Sequence, residues 1–261
     1  MLCRLRAVFI ALAVCVMAPL HAGEADAAMD PREASALLER AKGGDTGAVD
    51  TLRQAAEAGD PVAQTGLAMA YRAGIGGLTQ DDAAAAKWVR AAADQGLPIA
   101  EYEMALILSS GRGVTQDTNE AVSWLQKSAQ KNFPLAEYTL ALLYYEGRAV
   151  PQDFNQAAAL LQKAADKGMV PAQNNLAVMY ANGQGVPKDM KQAIDLFRKA
   201  ADAGFPDAEF NLGVLYQTGN GVKKDPKEAM KWFQKAAAQG HPGAKQAVEQ
   251  LQNQKTPPPK K

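Results

Sequence analysis

Few side chains of this 261-residue chain could act as nucleophiles or as soft metal ligands. Its cysteines are Cys3 and Cys15, and its histidines are His21 and His241. Three of these four residues lie in the first 22, which have the layout of a removable export signal, so a mature chain keeps His241 alone. Disulfides, cysteine nucleophiles, cysteine/histidine zinc sites and iron–sulfur clusters need ligands that such a chain lacks. We therefore predict no metal site and no cofactor.

Motifs of enzyme chemistry are also missing from the sequence. A serine nucleophile needs a neighbouring base, and His241 lies in a turn between two predicted helices. The glycines Gly183 and Gly185 have neither the strand–helix setting nor the lysine of a phosphate-binding loop. Paired carboxylates of a glycosidase are defined by their distance in space, which the sequence does not give. We predict no catalytic residue and no enzyme activity.

The most regular carboxylates are five aspartates that recur every 36 residues. A calcium or catalytic array is one interpretation, but residues one repeat apart lie in a row and do not converge. Each aspartate begins a run of helical periodicity, where a carboxylate can accept the free N–H groups of the first turn. In four repeats Glu or Gln follows three places later, which predicts a capping box. The five aspartates are Asp81, Asp117, Asp153, Asp189 and Asp225, and the four partners are Glu120, Gln156, Gln192 and Glu228.

Other residues return with the same period and define a unit of two helices, A and B. Helix A opens near a proline, as at Phe133-Pro134, and ends at a glycine that can take a left-handed conformation. Helix B runs from the aspartate to a glycine or asparagine. One such unit cannot bury its apolar face alone, so neighbouring units must stack. We predict an all-α fold with five units over residues 60–240. The glycines that end helix A are Gly74, Gly111, Gly147, Gly183 and Gly219.

The segments on either side of these units have helical patterns of their own. Residues 23–59 predict an N-terminal capping helix pair, and residues 241–253 predict a C-terminal capping helix with a more polar outer face. Stacked repeats need such ends for solubility. Residues 254–261 are polar and proline-rich, which predicts a disordered tail.

The N-terminus predicts export. Arg4 and Arg6 precede a run of 14 apolar residues, 7–20, and a small residue follows at Ala22. A helix needs about 20 residues to cross a bilayer, so a stable membrane anchor is disfavoured. We predict that residues 1–22 are a signal peptide cleaved after Ala22, with a second possible site at residues 25–27, and that the mature chain is periplasmic or secreted. Lipidation at Cys15 is disfavoured because bulky Val14 precedes it.

The charge of the mature chain argues against a nucleic-acid partner. Without the first 22 residues it has 26 basic and 28 acidic side chains, a net charge of −2. Binding to phosphates requires a clustered basic face, and no such cluster stands out in the sequence. We predict no nucleic acid among the partners, and we favour a monomer.

One segment carries a resemblance to a known family. Residues 174–189, NNLAVMYANGQGVPKD, with Ala193 and the pair Ala200-Ala201, closely resemble the Sel1-like repeat of the tetratricopeptide superfamily. Five consecutive copies cover about 180 of the 261 residues. The resemblance implies a right-handed superhelical α-solenoid of antiparallel helix pairs. It also implies a protein-binding role, since family members commonly act as adaptors and exported bacterial members are associated with envelope assembly, signalling regulation and host interaction.

The resemblance also implies a binding groove lined mainly by helix A. Two places after the recurring alanines of helix A stand aromatic and amide residues. The next places carry further amides, which match positions where related repeats hold a peptide backbone. Rings supply contact area, and amides both donate and accept hydrogen bonds. An alternative is that the aromatic rings pack between helices as core. The hypothesis for partner binding names Tyr102, Tyr138, Asn174, Asn175, Phe210 and Asn211.

The functional hypothesis is an exported scaffold that binds another protein or peptide as an adaptor or regulator of an envelope complex. One alternative is a factor that recognises a cell-wall glycan. Another is a β-lactamase-like enzyme, because some family members from cysteine-rich branches were described in that way. Each repeat of that branch carries a cysteine pair, which this chain lacks, so the enzyme alternative ranks last.

Overall fold

The computed structural model describes residues 28–253, and within that range the chain forms α-helices and no strand. The predicted signal peptide, residues 1–22, and the predicted tail, residues 254–261, lie outside the described residues and stay predictions. The thirteen helices of the described range are α1 (Pro31–Lys42), α2 (Thr46–Glu57), α3 (Pro61–Ala73), α4 (Asp82–Asp94), α5 (Pro98–Ser110), α6 (Thr118–Gln130), α7 (Pro134–Glu146), α8 (Phe154–Asp166), α9 (Val170–Asn182), α10 (Met190–Asp202), α11 (Pro206–Thr218), α12 (Pro226–Ala238) and α13 (Pro242–Asn253).

The chain divides into two compact units, the first ending at Asp117 and the second beginning at Thr118. Within each unit every helix packs against the next along the chain. Short turns join the helices, so neighbours run antiparallel. The prediction of an all-α solenoid of antiparallel helix pairs is confirmed. Helices α1 and α2 precede the repeats and α13 follows them, and their role as caps stays a prediction.

Helix A of each repeat begins and ends where the sequence predicted. The residue before each of these helices is extended, and a proline occupies one of the first two helical positions. Proline fits there because its missing N–H would have no partner in a first turn. Each of these helices ends at a glycine with φ between 64° and 79°. Such angles are left-handed and favour glycine, which explains the glycine ladder.

The recurring aspartate caps helix B in four repeats, at α4, α8, α10 and α12. In α8, for example, the Asp153 carboxylate accepts the N–H of Gln156 at 3.0 Å. In α10 the Asp189 carboxylate accepts the N–H groups of Lys191 and Gln192, each at 3.0 Å. The bond from the Gln192 N–H is the main reason that the pKa of Asp189 lies below its ordinary value of 3.8.

The second half of the predicted capping box does not form. In all five repeats the backbone N–H of the capping aspartate donates to a carbonyl near the end of helix A, at 2.9–3.1 Å. That N–H is therefore unavailable to the Glu or Gln side chain three places later. Glu120 instead accepts a hydrogen bond from the Trp124 indole at 3.2 Å. The five carbonyl acceptors belong to Tyr71, Leu108, Tyr144, Tyr180 and Tyr216.

The core consists largely of alanines where helices cross. Ala136 and Ala172 of helix A, and Ala157 and Ala193 of helix B, are fully buried. A methyl side chain lets neighbouring helix backbones approach closely, and larger residues such as Leu161 fill the space between the crossings. The alanine ladder therefore sets the distance between helices.

Among residues 28–253, no helix combines the length and the apolar character that a membrane crossing requires.

Candidate functional site

The six residues proposed for partner binding fall into both units. Tyr102 lies on α5 in the first unit and is half-buried. Its neighbour Glu103 forms an ion pair with Arg72 of α3, with 2.9 Å between the Arg72 Nη1 and Glu103 Oε2 atoms. This half-buried pair joins the A helices of the first two repeats, and the sequence did not predict it.

The other five proposed residues lie in the second unit, and four of them form one hydrogen-bonded line across three A helices. The Asn175 amide of α9 donates to the hydroxyl of Tyr138 on α7 at 3.3 Å. The Asn174 amide donates to the Asn175 carbonyl oxygen at 3.3 Å. The Asn211 amide of α11 donates to the Asn174 carbonyl oxygen at 3.0 Å. We call these four residues the amide line.

The amide line keeps unused hydrogen-bonding capacity at its half-buried members. Asn174 is only 6% exposed and acts as the internal bridge, whereas Tyr138, Asn175 and Asn211 are half-buried. Each amide has two N–H donors and an oxygen with two lone pairs, and the line uses at most one bond per group. Within the described residues the Asn211 carbonyl oxygen accepts no hydrogen bond. Further donors and acceptors therefore remain for a ligand.

Burial also affects the tyrosine at one end of the line. The loss of water contact raises the pKa of Tyr138 above its ordinary value of 10.0, and the hydrogen bond from Asn175 offsets part of that rise. The negative charges of Asp207 and Glu146 raise it further. The hydroxyl is therefore neutral at physiological pH and can still donate a hydrogen bond to a partner.

Phe210 does not join the amide line through a hydrogen bond and instead packs within the protein. Its ring stacks on the His241 imidazole with 4.5 Å between ring centres. It also contacts the ring of Phe233, 5.6 Å away. This placement agrees with the alternative interpretation, in which the aromatic ring packs between helices.

His241, the only histidine among the described residues, caps a helix. Its Nδ1 atom accepts the N–H of Ala244 in the first turn of α13 at 3.1 Å. Its Nε2 atom lies 3.3 Å from the Asp207 carboxylate. This is the place that Asp60 takes before α3, where the carboxylate accepts the N–H of Ala63 at 2.7 Å.

A second polar column stands one place before the column of Tyr138 and Phe210, and two of its members in the second unit are deeply buried. In the second unit Glu137 is fully buried and its carboxylate lies 2.6 Å from the Lys167 ammonium. Glu209 is 4% exposed and accepts a hydrogen bond from Gln239 at 2.9 Å. This column was not predicted from the sequence, although its members recur with the 36-residue period. Burial and internal pairing give the column a structural role.

Among the described residues, no group of three or more histidine, cysteine, aspartate or glutamate side chains could hold a metal ion. The ladder of aspartates does not form such a group, and four of its five carboxylates each cap their own helix.

Comparison with known proteins agrees with this geometry. A family model of the Sel1 repeat matches five consecutive segments, residues 61–97, 98–133, 134–169, 170–205 and 206–241. These segments cover helices α3 to α12, each with one helix A and one helix B.

Two solved structures are similar to the chain over most of its length. One is c5321, a protective antigen of uropathogenic Escherichia coli strains with an SLR fold, which is 31% identical over 87% of this chain, with a TM-score of 0.78. The match covers 49% of that protein, so the chain spans about half its length. The other is a Sel1 repeat protein from Oxalobacter formigenes, 27% identical over 83% of this chain and 86% of that chain, with a TM-score of 0.74. No curated protein matches the chain.

Proposed function

The chain belongs to the Sel1 repeat family, and from this premise we propose that it is an exported scaffold that binds an extended segment of another protein along the amide line. In this role it acts as an adaptor or regulator of a complex in the cell envelope. Catalysis has no part in the proposal, because the recurring carboxylates are committed to helix caps and to buried pairs.

The observation that carries the proposal is the amide line itself. Three A helices present Tyr138, Asn175 and Asn211 half-buried; Asn175 bonds directly to Tyr138, and Asn174 joins it to Asn211. An extended peptide repeats its N–H and C=O groups about every 3.3 Å along the strand. Amide side chains match such a ligand because each can donate and accept at the same time.

The amide line is also oriented before a ligand arrives. The hydrogen bonds among its members fix the side chains, so little rotamer entropy remains to be lost on binding. When a peptide segment forms two hydrogen bonds there, most of the free energy of those bonds contributes to binding, because little entropy is lost. This arrangement supports recognition of backbone more than of any one side chain.

Export is the second part of the proposal, and the sequence supports it. Arg4 and Arg6 followed by 14 apolar residues have the layout of a signal peptide. The partner is then expected in the periplasm or outside the cell. A glycan of the cell wall remains the alternative ligand, and the test below distinguishes the two.

The test is affinity capture from an envelope extract with the mature chain, starting at Gly23, as bait. The bait is compared with the variant Asn175→Ala/Asn211→Ala, which removes two half-buried amides. We expect the wild-type chain to retain one specific protein and the variant to lose it, because two lost hydrogen bonds weaken binding about tenfold or more.

The matched control replaces two exposed amides of B helices, Asn155→Ala and Gln234→Ala. This variant should retain the same protein as the wild type. Equal capture by all three baits would refute a role for the amide line. Retention of wall fragments without a protein, lost on addition of soluble peptidoglycan, would favour the glycan alternative.

A further inference from the structure

An open cavity with a basic lining is formed by helix B of the fourth repeat together with residues of the last repeat. Its volume is about 380 Å³. Arg198 comes from α10 and Tyr216 from α11, and the other lining residues belong to the turn before α12. The residues that line it are Arg198, Tyr216, Val222, Lys223, Lys224 and Asp225, and we call this cavity the basic cleft.

The cations of the basic cleft are held near one another but are not neutralised. The Arg198 guanidinium donates a hydrogen bond to the Tyr216 hydroxyl at 3.3 Å. In the described part of the chain, no carboxylate lies within 4.0 Å of the charged groups of Arg198, Lys223 or Lys224. The one acid of the lining, Asp225, is used as a helix cap and accepts the N–H groups of Lys227 and Glu228. Three cations and one carboxylate leave a net charge of +2.

The fold does not require these cations, as the two preceding repeats of the same unit demonstrate. Tyrosine, valine and aspartate recur at the corresponding places, but the cationic places do not. At the places of Arg198, Lys223 and Lys224, the preceding set holds one cation and the set before it holds none. The matching residues are Gln162, Pro187 and Lys188 in the preceding repeat, and Gln126, Pro151 and Gln152 in the one before.

We propose that the basic cleft binds the carboxylates of an acidic segment of a partner protein. The planar guanidinium of Arg198 can receive a carboxylate through two parallel hydrogen bonds, and the lysines supply further donors. Val222 and the Tyr216 ring give the cleft an apolar wall that suits the methylene groups of a glutamate side chain. The site lies outside the amide line, so it adds a charge-selective contact to the backbone contact proposed above.

Phosphate-rich ligands fit the basic cleft less well. Nucleic acids are bound by rows of cations that follow a backbone, whereas these three cations are confined to one turn and one helix position. Asp225 also stands in the lining, and its charge opposes a doubly charged phosphate more than a singly charged carboxylate.

The test is direct binding of a labelled acidic peptide to the full mature chain. The probe is an eight-residue peptide of alternating glutamate and glycine with a rhodamine label, and a peptide with glutamine in place of glutamate is its neutral partner. Anisotropy is measured at about 50 mM salt, where screening is weak. We expect the acidic peptide to bind and the neutral one not to bind.

The variant Arg198→Gln/Lys223→Pro/Lys224→Gln gives the cleft the residues of an earlier repeat, so the fold should persist. We expect it to bind the acidic peptide about tenfold more weakly or worse, because charge-assisted hydrogen bonds are lost. If circular dichroism shows loss of helix, the single change Arg198→Gln replaces it, since glutamine stands at this place in both earlier repeats.

A control variant removes the same charge elsewhere in the second unit: Lys163→Gln, Lys191→Gln and Lys245→Gln, all at exposed lysines. It should bind within about twofold of the wild type, since none of these lysines lines the basic cleft or makes a charge-assisted hydrogen bond there. Equal weakening in both variants would overturn the proposal, and so would displacement of the peptide by inorganic phosphate at equal concentration. The amide-line variant should bind the acidic peptide normally, so failure of one proposal is distinguishable from failure of the other.

Discussion

Glu137 and Lys167 show how much a single buried charge depends on its partner. The carboxylate is fully buried, and the Lys167 ammonium, 2.6 Å away, also donates to the carbonyl of Asn132. Lys167→Met leaves the carboxylate buried without a countercharge, which costs about 3 kcal/mol of the free energy of unfolding. Urea denaturation of the purified chain measures the loss.

The first repeat supplies the matched control for this pair. There the same two places hold Gln64 and Gln95, joined at 2.9 Å. The double change Glu137→Gln/Lys167→Gln should therefore recover most of the stability that Lys167→Met loses. A double variant as unstable as Lys167→Met would show that the charge pair itself is required.

The folding stability of the protein is expected to depend on pH through Glu209. Burial raises the pKa of Glu209 above its ordinary value of 4.5, and the hydrogen bond from Gln239 and the charge of Lys235 offset part of the rise. Between pH 4.5 and the raised pKa of Glu209, the folded chain holds more protons than the unfolded chain. The free energy of unfolding therefore falls as the pH rises through this range. Glu209→Gln removes this loss and keeps the bond to Gln239. Its melting temperature should exceed that of the wild type at about pH 7, and the difference should shrink at about pH 4.

A constant difference between the two proteins across this pH range would contradict the assignment. Glu249→Gln on α13 is the control, because that carboxylate is exposed.

At the scale of the element, each helix B depends on its aspartate cap. Asp153→Ala removes the acceptor of the Gln156 N–H at 3.0 Å and should cost about 1 kcal/mol. Asp153→Asn should cost much less, because asparagine also caps helices well. Asn155→Ala, an exposed change in the same first turn, should leave stability nearly unchanged. If Asp153→Ala had no effect on chemical denaturation, the cap would not explain the aspartate ladder.

The turn between helices A and B sets how closely adjacent repeats pack. Gly185 has φ 66°, and a Cβ atom there would lie 2.0 Å from the backbone carbonyl oxygen of Phe154 in the preceding repeat. At Gly204, with φ 78°, a Cβ atom would meet nothing within 4 Å. Gly204→Ala should therefore cost about 1 kcal/mol for the left-handed conformation alone. Gly185→Ala should cost about 3 kcal/mol, since a backbone clash is added.

The comparison of these two variants by chemical denaturation isolates the close contact. Ala149 stands at the place of Gly185 one repeat earlier and has φ 63°. Alanine is thus compatible with the backbone angle at this place. Equal losses for Gly185→Ala and Gly204→Ala would show that the contact with the Phe154 carbonyl does not limit the packing of repeats.

The sequence predicted the elements well because their boundaries are local. Proline, aspartate and glycine act on the turn that contains them, so helices α3 to α12 could be placed from spacing alone. The capping box failed because the N–H of Asp189 finds the Tyr180 carbonyl, a choice that depends on how two helices meet. The buried pair of Glu137 and Lys167 depends on the same spatial information.

Across the whole molecule, the 36-residue period predicts the fold well but predicts little about function. Residues one repeat apart must form columns, so the sequence could place Tyr138, Asn174 and Phe210 on successive A helices. It could not show that Asn174 is buried as a bridge or that Phe210 stacks on His241. The basic cleft could not be found from the period either, because it arises where residues of the last two repeats depart from the repeated pattern.

The family match accounts for residues 61–241, and the proposed functions rest on what this chain places on that scaffold. Repeated residues build helices, caps and core. Residues such as Asn175 and Arg198, which are not repeated in every unit, distinguish the surfaces. Partner specificity is therefore expected to reside in the non-repeated positions.

Site-specific photo-crosslinking can show whether a partner protein lies along the amide line. A photoreactive phenylalanine at Thr139, the place of Asn175 one repeat earlier, leaves the amide line intact, and the same group at exposed Lys163 of α8 is the control. In cells, position 139 should form an adduct with the protein that affinity capture retains, and position 163 should not. Adducts of equal yield from both positions, or none from position 139, would contradict the account.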